Sequence, residues 1–366
     1  MKILIDARLY GLENAGLGRY LINLISNLVR IDDHNSYTIL LKSNYFDRLQ
    51  LPASWQKVEA NFGHYSWEEQ IKLPILINKF DPDLVHFPHF NVPLFYSRPY
   101  VATIHDMLMH NQKGKQATTL STLEYNIKRL GYRIVFDRAV HKSIRLIVPS
   151  YTVKQELESF YHLESNKIAV TYEGIESPKF SPHSKYKLSK PYFIYAGNAY
   201  PHKNLENAIR AVVQLNEEVN LIIVSARNIF VERLKKLITK NGWQKRIILL
   251  GFVPDDELAS LFRKSLGFIF PSLSEGFGLP GLEAMAAGTV CLCSDIPVFK
   301  EIYKKDVIYF DPYNITSIKE SLDMVIKMNK EEREKLIVSG KALAKTYSWD
   351  KMARQTLDVY ESCSRL

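Results

Sequence analysis

Three cysteines, Cys291, Cys293 and Cys363, stand in a chain of 366 residues, too few for a disulfide scaffold or a thiolate metal cluster. Reduced thiols are expected. Long hydrophobic runs are missing as well, and no apolar stretch approaches the ~20 residues that cross a bilayer. The first eight residues, Met1-Lys2-Ile3-Leu4-Ile5-Asp6-Ala7-Arg8, carry an acid and a second base, so no uninterrupted signal-peptide core is present and a cytoplasmic protein is expected. Low-complexity tracts are absent too. Hydrophobic residues make up 46% and charged residues 24%, the balance of a globular chain rather than a disordered one. Without a Gly-x4-Gly-Lys-Ser/Thr stretch the chain is no P-loop kinase or ATPase, and without a recognisable reading motif nucleic acid is not an expected partner. Pairs such as His86 and His89, or His105 and His110, have no clustered third ligand, so no metal site is expected. Asp81-Pro82-Asp83 reads as a turn before a strand rather than a metal-binding pair.

Charge is present in excess of one sign. Lys and Arg number 48 against 39 acids, for a net charge of +9. Most of the surplus falls between Lys113 and Arg145, with eight bases against two acids. The same segment carries Leu120, Leu123, Ile127, Leu130, Ile134 and Val135 at helical spacings, which predicts an amphipathic region with a basic face. Such a face suits a membrane surface or an anionic acceptor, and equally a solvated helix side.

Short β-branched and aromatic runs alternate with helical patterns along the chain. Strands are expected at 2–9, 37–42, 83–87, 100–105, 145–149 and 168–172, then at 192–196, 220–225, 246–251, 266–271, 289–294 and 307–310. Many are apolar on both faces, as parallel strands covered by helices are, and the alternation predicts doubly wound α/β sheets. Leu17, Tyr20, Leu21, Leu24, Ile25 and Leu28 share one helical face, and Ser66-Trp67-Glu68-Glu69 fits a capping box. Asp255 is placed to cap a helix after Pro254. The aperiodic stretch 175–190 divides six strands from six. The expected layout is a Rossmann-like domain (1–174), a linker (175–190), a second Rossmann-like domain (191–346) and a C-terminal helical stretch (347–366). The two domains are expected to face a central cleft.

The most informative segment runs from Pro271 through Glu275-Gly276-Phe277-Gly278-Leu279-Pro280-Gly281-Leu282-Glu283 to Gly288. A strand end, a glycine-bearing loop and a helix opening near Pro280 would gather backbone N–H groups into an anion site. Glu275 and Glu283 can each accept hydrogen bonds from ligand hydroxyls, or they can cap and complement the helix dipole.

This segment resembles the Glu-x7-Glu signature of the retaining nucleotide-sugar glycosyltransferases of family 4, which have the GT-B fold. The resemblance implies that Glu275, with Gly276, Phe277, Gly278 and Leu279, holds the donor sugar and that Glu283 holds the ribose. Tyr195-Ala196-Gly197-Asn198-Ala199-Tyr200-Pro201-His202-Lys203-Asn204 is similar to the family's pyrophosphate turn, which makes Lys203 and Asn198 phosphate-binding. Many members carry Arg where Asn198 stands. Ala15-Gly16-Leu17-Gly18-Arg19-Tyr20 resembles the Gly-x-Gly-Arg-Tyr loop, where Gly16 and Gly18 would let phosphates or acceptor approach the backbone. Thr103-Ile104-His105-Asp106 resembles the His-Asp pair, with His105 reaching the transferred sugar and Asp106 orienting nearby groups. Phe252 and Val253 stand where the family packs the nucleotide base. Trp349, Met352, Ala353, Thr356, Leu357 and Tyr360 match the family's C-terminal helix, and the resemblance implies that this helix (347–366) crosses back to the first domain, that domain 1–174 binds the acceptor and that domain 191–346 binds the nucleotide sugar.

The implied activity is metal-independent retaining transfer of a hexose from a nucleotide diphosphate sugar, GDP-mannose or UDP-glucose first, to a saccharide or polyprenyl-linked saccharide in polysaccharide assembly. No cofactor is expected. Peripheral contact with the inner face of the membrane would follow from the basic segment. The rival readings are a GT-B sugar-nucleotide epimerase and a donor-binding subunit whose chemistry has lapsed.

Overall fold

The computed structural model describes residues 1–111, 122–182, 185–186, 188–226 and 228–364. The chain divides into two compact units, one formed by Met1–Met107, Thr118–Gly174 and Ser348–Leu366 and the other chiefly by Ile175–Tyr347.

Along the first part of the chain run β1 (Lys2–Asp6), α1 (Ala15–Ile31), β2 (Ser36–Leu41), α2 (Ser43–Phe46), β3 (Gln56–Glu59), α3 (Trp67–Asn78), β4 (Leu84–Phe87), β5 (Tyr100–Thr103), α4 (Leu108–Asn111), α5 (Thr122–Lys142), β6 (Arg145–Val148), α6 (Tyr151–Tyr161) and β7 (Ile168–Val170). The seven strands form one sheet in the order β3-β2-β1-β4-β5-β6-β7, and every pair is parallel. Strands β4 and β5 are buried at all four positions, which explains why apolar residues occupy both of their faces, with His86 and Thr103 hydrogen-bonded to each other at 2.8 Å. The expectation of six strands falls short by β3. That strand lies on the sheet edge with Val58 as its one apolar residue, so it carries no periodic signal. The expected strands at 2–9 and 100–105 also stop earlier, because the chain turns after Asp6 with Ala7 N–H donating to Ile5 O at 3.0 Å. The residues shed from these strand ends include Arg8 and His105.

Helix α1 buries Tyr20, Leu21, Leu24, Ile25 and Leu28 as the spacing requires. At α3, Ser66 Oγ accepts from Glu69 N–H at 3.1 Å, but the reciprocal half of the expected capping box is absent. The Glu69 carboxylate instead accepts from Tyr65 N–H at 2.7 Å and from Arg8. Helix α5 forms, yet Ile127, Leu130 and Ile134 face solvent while Phe136, Ala139 and Val140 are buried. The apolar stripe read from the sequence is therefore an exposed one. Lys113, Lys115, Leu120 and the Leu123 side chain lie outside the described residues. The Asp81-Pro82-Asp83 turn leads into β4, with Asp83 Oδ2 accepting from Lys2 N–H at 2.7 Å.

The C-terminal helix α14 (Trp349–Cys363) belongs to this same unit. Its buried face is Trp349, Met352, Ala353, Thr356, Val359 and Tyr360, with Leu357 only half-buried. Tyr360 Oη lies 2.6 Å from His86 Nδ1, and His86 Nε2 lies 2.8 Å from Thr103 Oγ1. Burial lowers the His86 pKa to about 3, so the ring is neutral, with one nitrogen to donate and one to accept.

The second unit contains β8 (Tyr192–Ala196), α7 (Leu205–Val213), β9 (Asn220–Val224), α8 (Ile229–Lys240), β10 (Ile247–Gly251), α9 (Asp255–Lys264), β11 (Gly267–Phe270), α10 (Leu279–Ala287), β12 (Cys291–Ser294), α11 (Pro297–Tyr303), β13 (Ile308–Phe310), α12 (Ile315–Lys327) and α13 (Lys330–Ala344). Its six strands are parallel in the order β10-β9-β8-β11-β12-β13. Cys291 and Cys293 are buried free thiols on β12, and burial pushes both pKa values up. In the stretch 175–190, Ser181 N–H donates to Asp256 O at 3.2 Å and Phe180 lies under Arg263 at 4.0 Å, so these residues pack along α9. Asp255 is the first residue of α9 and Pro254 its cap, one position from the expected cap. Pro280 lies in the first turn of α10, and Gly288, at φ 88°, closes the helix.

In each unit the strand order reverses direction at one place, between β1 and β4 in the first and between β8 and β11 in the second. Open α/β sheets bind ligands outside the carboxyl ends of the strands at such a switch point.

Candidate active site

The turn after β8 and the loop after β11 flank the switch point of the second unit. Gly197, at φ 144°, sends its N–H to Val224 O at 3.0 Å, and the Asn198 carbonyl accepts from Tyr195 Oη at 2.5 Å. Pro201–Lys203 make a single 3-10 turn, and Asn204 opens α7 in the left-handed region with its Nδ2 donating to Pro312 O at 2.8 Å. Leu273 N–H donates to His202 O at 2.7 Å, which ties the turn to the loop after β11. Burial, with the Lys203 charge adding to it, lowers the His202 pKa to about 4. That ring is neutral at physiological pH.

Lys203 Nζ lies 2.5 Å from Glu275 Oε1, with the two side chains 16% and 13% exposed. The sequence-predicted phosphate ligand and sugar ligand are thus one ion pair. No side chain caps α10, whose N-cap is Gly278 at φ 104°, so Glu275 is not consumed as a helix cap. Ser272 is fully buried, and its hydroxyl has no partner among the described residues.

The glycines of this loop answer to a residue outside the motif. Tyr303 Oη, at the end of α11, donates to Gly278 O, and a Cβ at Gly278 or Gly281 would overlap the tyrosine hydroxyl. Phe277 is 4% exposed and meets Tyr347 edge-on at 5.6 Å, so its side chain belongs to the core of the unit. Glu283 sits mid-helix and half-buried. Of the pair assigned to the nucleotide base, Phe252 is 73% exposed and Val253 is buried.

In the first unit Gly16 and Gly18 occupy the first turn of α1. A Cβ at Gly18 would overlap the Gly11 carbonyl, whereas Gly16 faces open space. Glycine at position 18 is therefore required by the chain's own backbone, whatever else approaches it. His105 follows β5 and is firmly held: Nε2 lies 3.0 Å from Pro88 O, Nδ1 lies 3.3 Å from Glu173 Oε1, and the Tyr20 ring meets it edge-on at 4.9 Å. Asp106 acts on its surroundings through charge, joining burial in raising the Glu156 carboxyl.

A buried charged cluster at the carboxyl end of β1 was not singled out by sequence. Arg8 donates to Asp6 at 2.6 and 2.7 Å and to Glu69 Oε1 at 2.7 Å, and all three side chains are at most 8% exposed. Burial alone would raise both acids, but Arg8 holds Asp6 below its usual range, and His64, Arg8 and Asn91 together do the same for Glu69. Glu69 comes from a point 61 residues away, and its helix-start position disguised it as a capping residue.

Residues 15–177 match the family described as Glycosyltransferase Family 4, and residues 177–343 match Glycosyl transferases group 1. The chain is 26% identical to the O-antigen chain mannosyltransferase RfbU of Salmonella typhimurium strain LT2, over 82% of this chain and 84% of that protein. It is 24% identical to O-antigen chain mannosyltransferase B of Escherichia coli, over 99% of this chain and 100% of that one. Among solved structures, sucrose-phosphate synthase from Thermosynechococcus elongatus superposes with a TM-score of 0.77 at 14% identity, covering 99% of this chain and 98% of that one. Anabaena HepE in complex with UDP and glucose gives 0.76 at 17%, covering 99% and 100%. These likenesses define the class as the GT-B fold. The chain belongs to the family 4, group 1 glycosyltransferases.

Proposed function

We propose that this glycosyltransferase is a retaining, metal-independent hexosyltransferase, with GDP-mannose ahead of UDP-glucose as donor and a saccharide or polyprenyl-linked saccharide as acceptor in polysaccharide assembly. The observation that carries the reading is the Lys203–Glu275 ion pair at the β8/β11 switch point. Mannose is preferred because two relatives matched over more than four-fifths of their length are named O-antigen chain mannosyltransferases.

In this reading Glu275 and the backbone of Gly276, Phe277, Gly278 and Leu279 bind the sugar hydroxyls. Glu283 takes the ribose, and Phe252 with Val253 takes the base. Lys203 neutralises the diphosphate, aided by the Asn198 turn and the amides opening α10. Gly16 and Gly18 are assigned to the phosphates and His105 with Asp106 to the transferred sugar by the resemblance. Without donor, Lys203 and Glu275 compensate each other, since a buried charge left alone is costly. With donor bound, each charge gains a ligand partner. The bond from the sugar's anomeric carbon to the phosphate oxygen breaks, and negative charge grows on the diphosphate near Lys203. The acceptor oxygen bonds to the same face of that carbon, and its proton passes to the departing phosphate. The exposed apolar residues Ile127, Leu130 and Ile134 on α5, beside Lys128, Arg129 and Arg133, support peripheral contact with an anionic membrane.

The test is product analysis with each donor in EDTA, using octyl α-mannopyranoside as acceptor and NMR for the new anomeric centre. An α-linked disaccharide from GDP-mannose is expected. A β-linkage or a divalent-cation requirement overturns the mechanism, and an epimerised donor formed without acceptor overturns the transferase reading.

A further inference from the structure

The switch point of the first unit also holds a small cavity, lined by Asp6, Leu9, Leu21, His64, Phe87, Pro88, His89 and Asn91. It opens beside the carboxyl ends of β1 and β4, where ligands of such sheets bind. Two of its lining residues carry a buried polar atom without a hydrogen-bond partner among the described residues, Asn91 Oδ1 and His64 Nε2. Asn91 is 4% exposed.

Glu69 sets the direction of both. Asn91 Nδ2 donates to the two Glu69 oxygens, at 2.9 Å each, which turns the Asn91 carbonyl oxygen away from the carboxylate. His64 Nδ1 lies 3.4 Å from Glu69 Oε1, which turns Nε2 outward. Arg8 in turn fixes Glu69 at 2.7 Å. Arg8 and Glu69 are thus positioning residues, with Asp6 sharing the Arg8 guanidinium at 2.6 Å. Leu9, Leu21, Phe87 and Pro88 give the wall its apolar part, and Asp6 and His89 complete it. A buried acceptor left unpaired costs free energy, so a built pair of this kind implies a visiting partner.

The size of the space narrows the partner. It leaves about 10 Å³ for the centre of a water-sized group, which is what one water or one hydroxyl needs. A hydroxyl donates to Asn91 Oδ1 and keeps lone pairs and a hydrogen-bonding oxygen for His64 Nε2. An apolar wall suits the carbon that bears it. The pocket also adjoins His105, whose Nε2 is held by the carbonyl of the lining residue Pro88.

We infer that Asn91 and His64 form a subsite for one hydroxyl or hydroxymethyl group of the acceptor sugar, preorganised by the Glu69–Arg8 ion pair. The inference rests on the saccharide-acceptor reading above and assigns it residues. The experiment measures kcat/KM with GDP-mannose for octyl α-mannopyranoside and for each of its monodeoxy derivatives, in wild type, Asn91→Ala and His64→Phe, with far-UV circular dichroism to establish that each variant is folded. In wild type one deoxy derivative should lose about 10- to 100-fold relative to the parent, the range expected for an unpaired buried polar group. In both variants the parent should fall toward that derivative, so that the discrimination disappears. Variants that fold and keep the wild-type discrimination overturn the inference and leave the cavity to an internal water only. If Asn91→Ala does not fold, His64→Phe alone decides. A wild type that transfers to no glycoside overturns the saccharide-acceptor reading, and the subsite falls with it.

Discussion

Lys203 and Glu275, on the turns that follow the adjacent strands β8 and β11, meet at 2.5 Å. Each has its charge compensated by the other and each is assigned to a different part of the donor. Lys203→Ala and Glu275→Gln should each lower kcat/KM for the nucleotide sugar by about 10²- to 10³-fold, the cost of deleting one transition-state contact. The double variant should lose less than the product of the two, because each single change also leaves its partner's charge unmatched. Steady-state kinetics of the four proteins check this, and strictly multiplicative losses would separate the two residues.

The pair formed by His86 and Tyr360 predicts how the first unit answers to acid. An unfolded chain protonates His86 near 6.5, whereas the folded ring resists until about 3. The stability of the neutral ring is therefore full above pH 6.5 and is lost as pH falls toward 3. His89, lowered by burial to about 3, and His202, to about 4, act in the same direction. Calorimetry between pH 7.5 and 5 should show a falling Tm, with a shallower fall in His86→Gln. Tyr360→Phe should cost about 1–3 kcal/mol at pH 7.5, from the orphaned ring nitrogen.

Gly16 and Gly18 sit in one turn of α1 but differ in what surrounds them. Gly18→Ala drives a methyl into the Gly11 carbonyl and should cost at least about 1–3 kcal/mol, while Gly16→Ala should leave stability within about 0.5 kcal/mol or raise it. Gly281→Ala should destabilise through Tyr303, and Tyr303→Phe should recover part of that loss. Urea denaturation of the set distinguishes these outcomes.

Replacing Ile127, Leu130 and Ile134 by serine should abolish flotation with anionic liposomes at low salt. Equal flotation of wild type with neutral and anionic vesicles would remove the electrostatic part of the membrane proposal.

The doubly wound architecture was legible because parallel strands buried on both faces put apolar residues on both, as in β4, β5 and β8. Strand β3 was not, since an edge strand needs only one covered face and Val58 supplied it. The stretch Glu275 through Glu283 was legible as a motif, but the Glu275 partner was not. The Lys203–Glu275 contact spans 72 positions, and the Arg8–Glu69 contact spans 61. Local spacing carries no trace of either. The same limit hid Tyr303, which dictates two glycines of the motif from a different helix. Helix α5 was legible as a helix, but its spacing could not say which way Ile127, Leu130 and Ile134 face, and they face solvent.

The central claim, that the second unit holds a nucleotide-sugar site with Glu283 on the ribose, is tested most directly by thermal stabilisation. Wild type and Glu283→Ala are heated with GDP-mannose, UDP-glucose, ADP-glucose or dTDP-glucose in EDTA. A ligand at a hundred times its Kd adds about 2.7 kcal/mol to the state that binds it. One nucleotide class, GDP first, should raise the Tm of wild type and fail to raise that of Glu283→Ala. A wild type that responds to none of them, or a variant that responds as fully as wild type, would contradict the account.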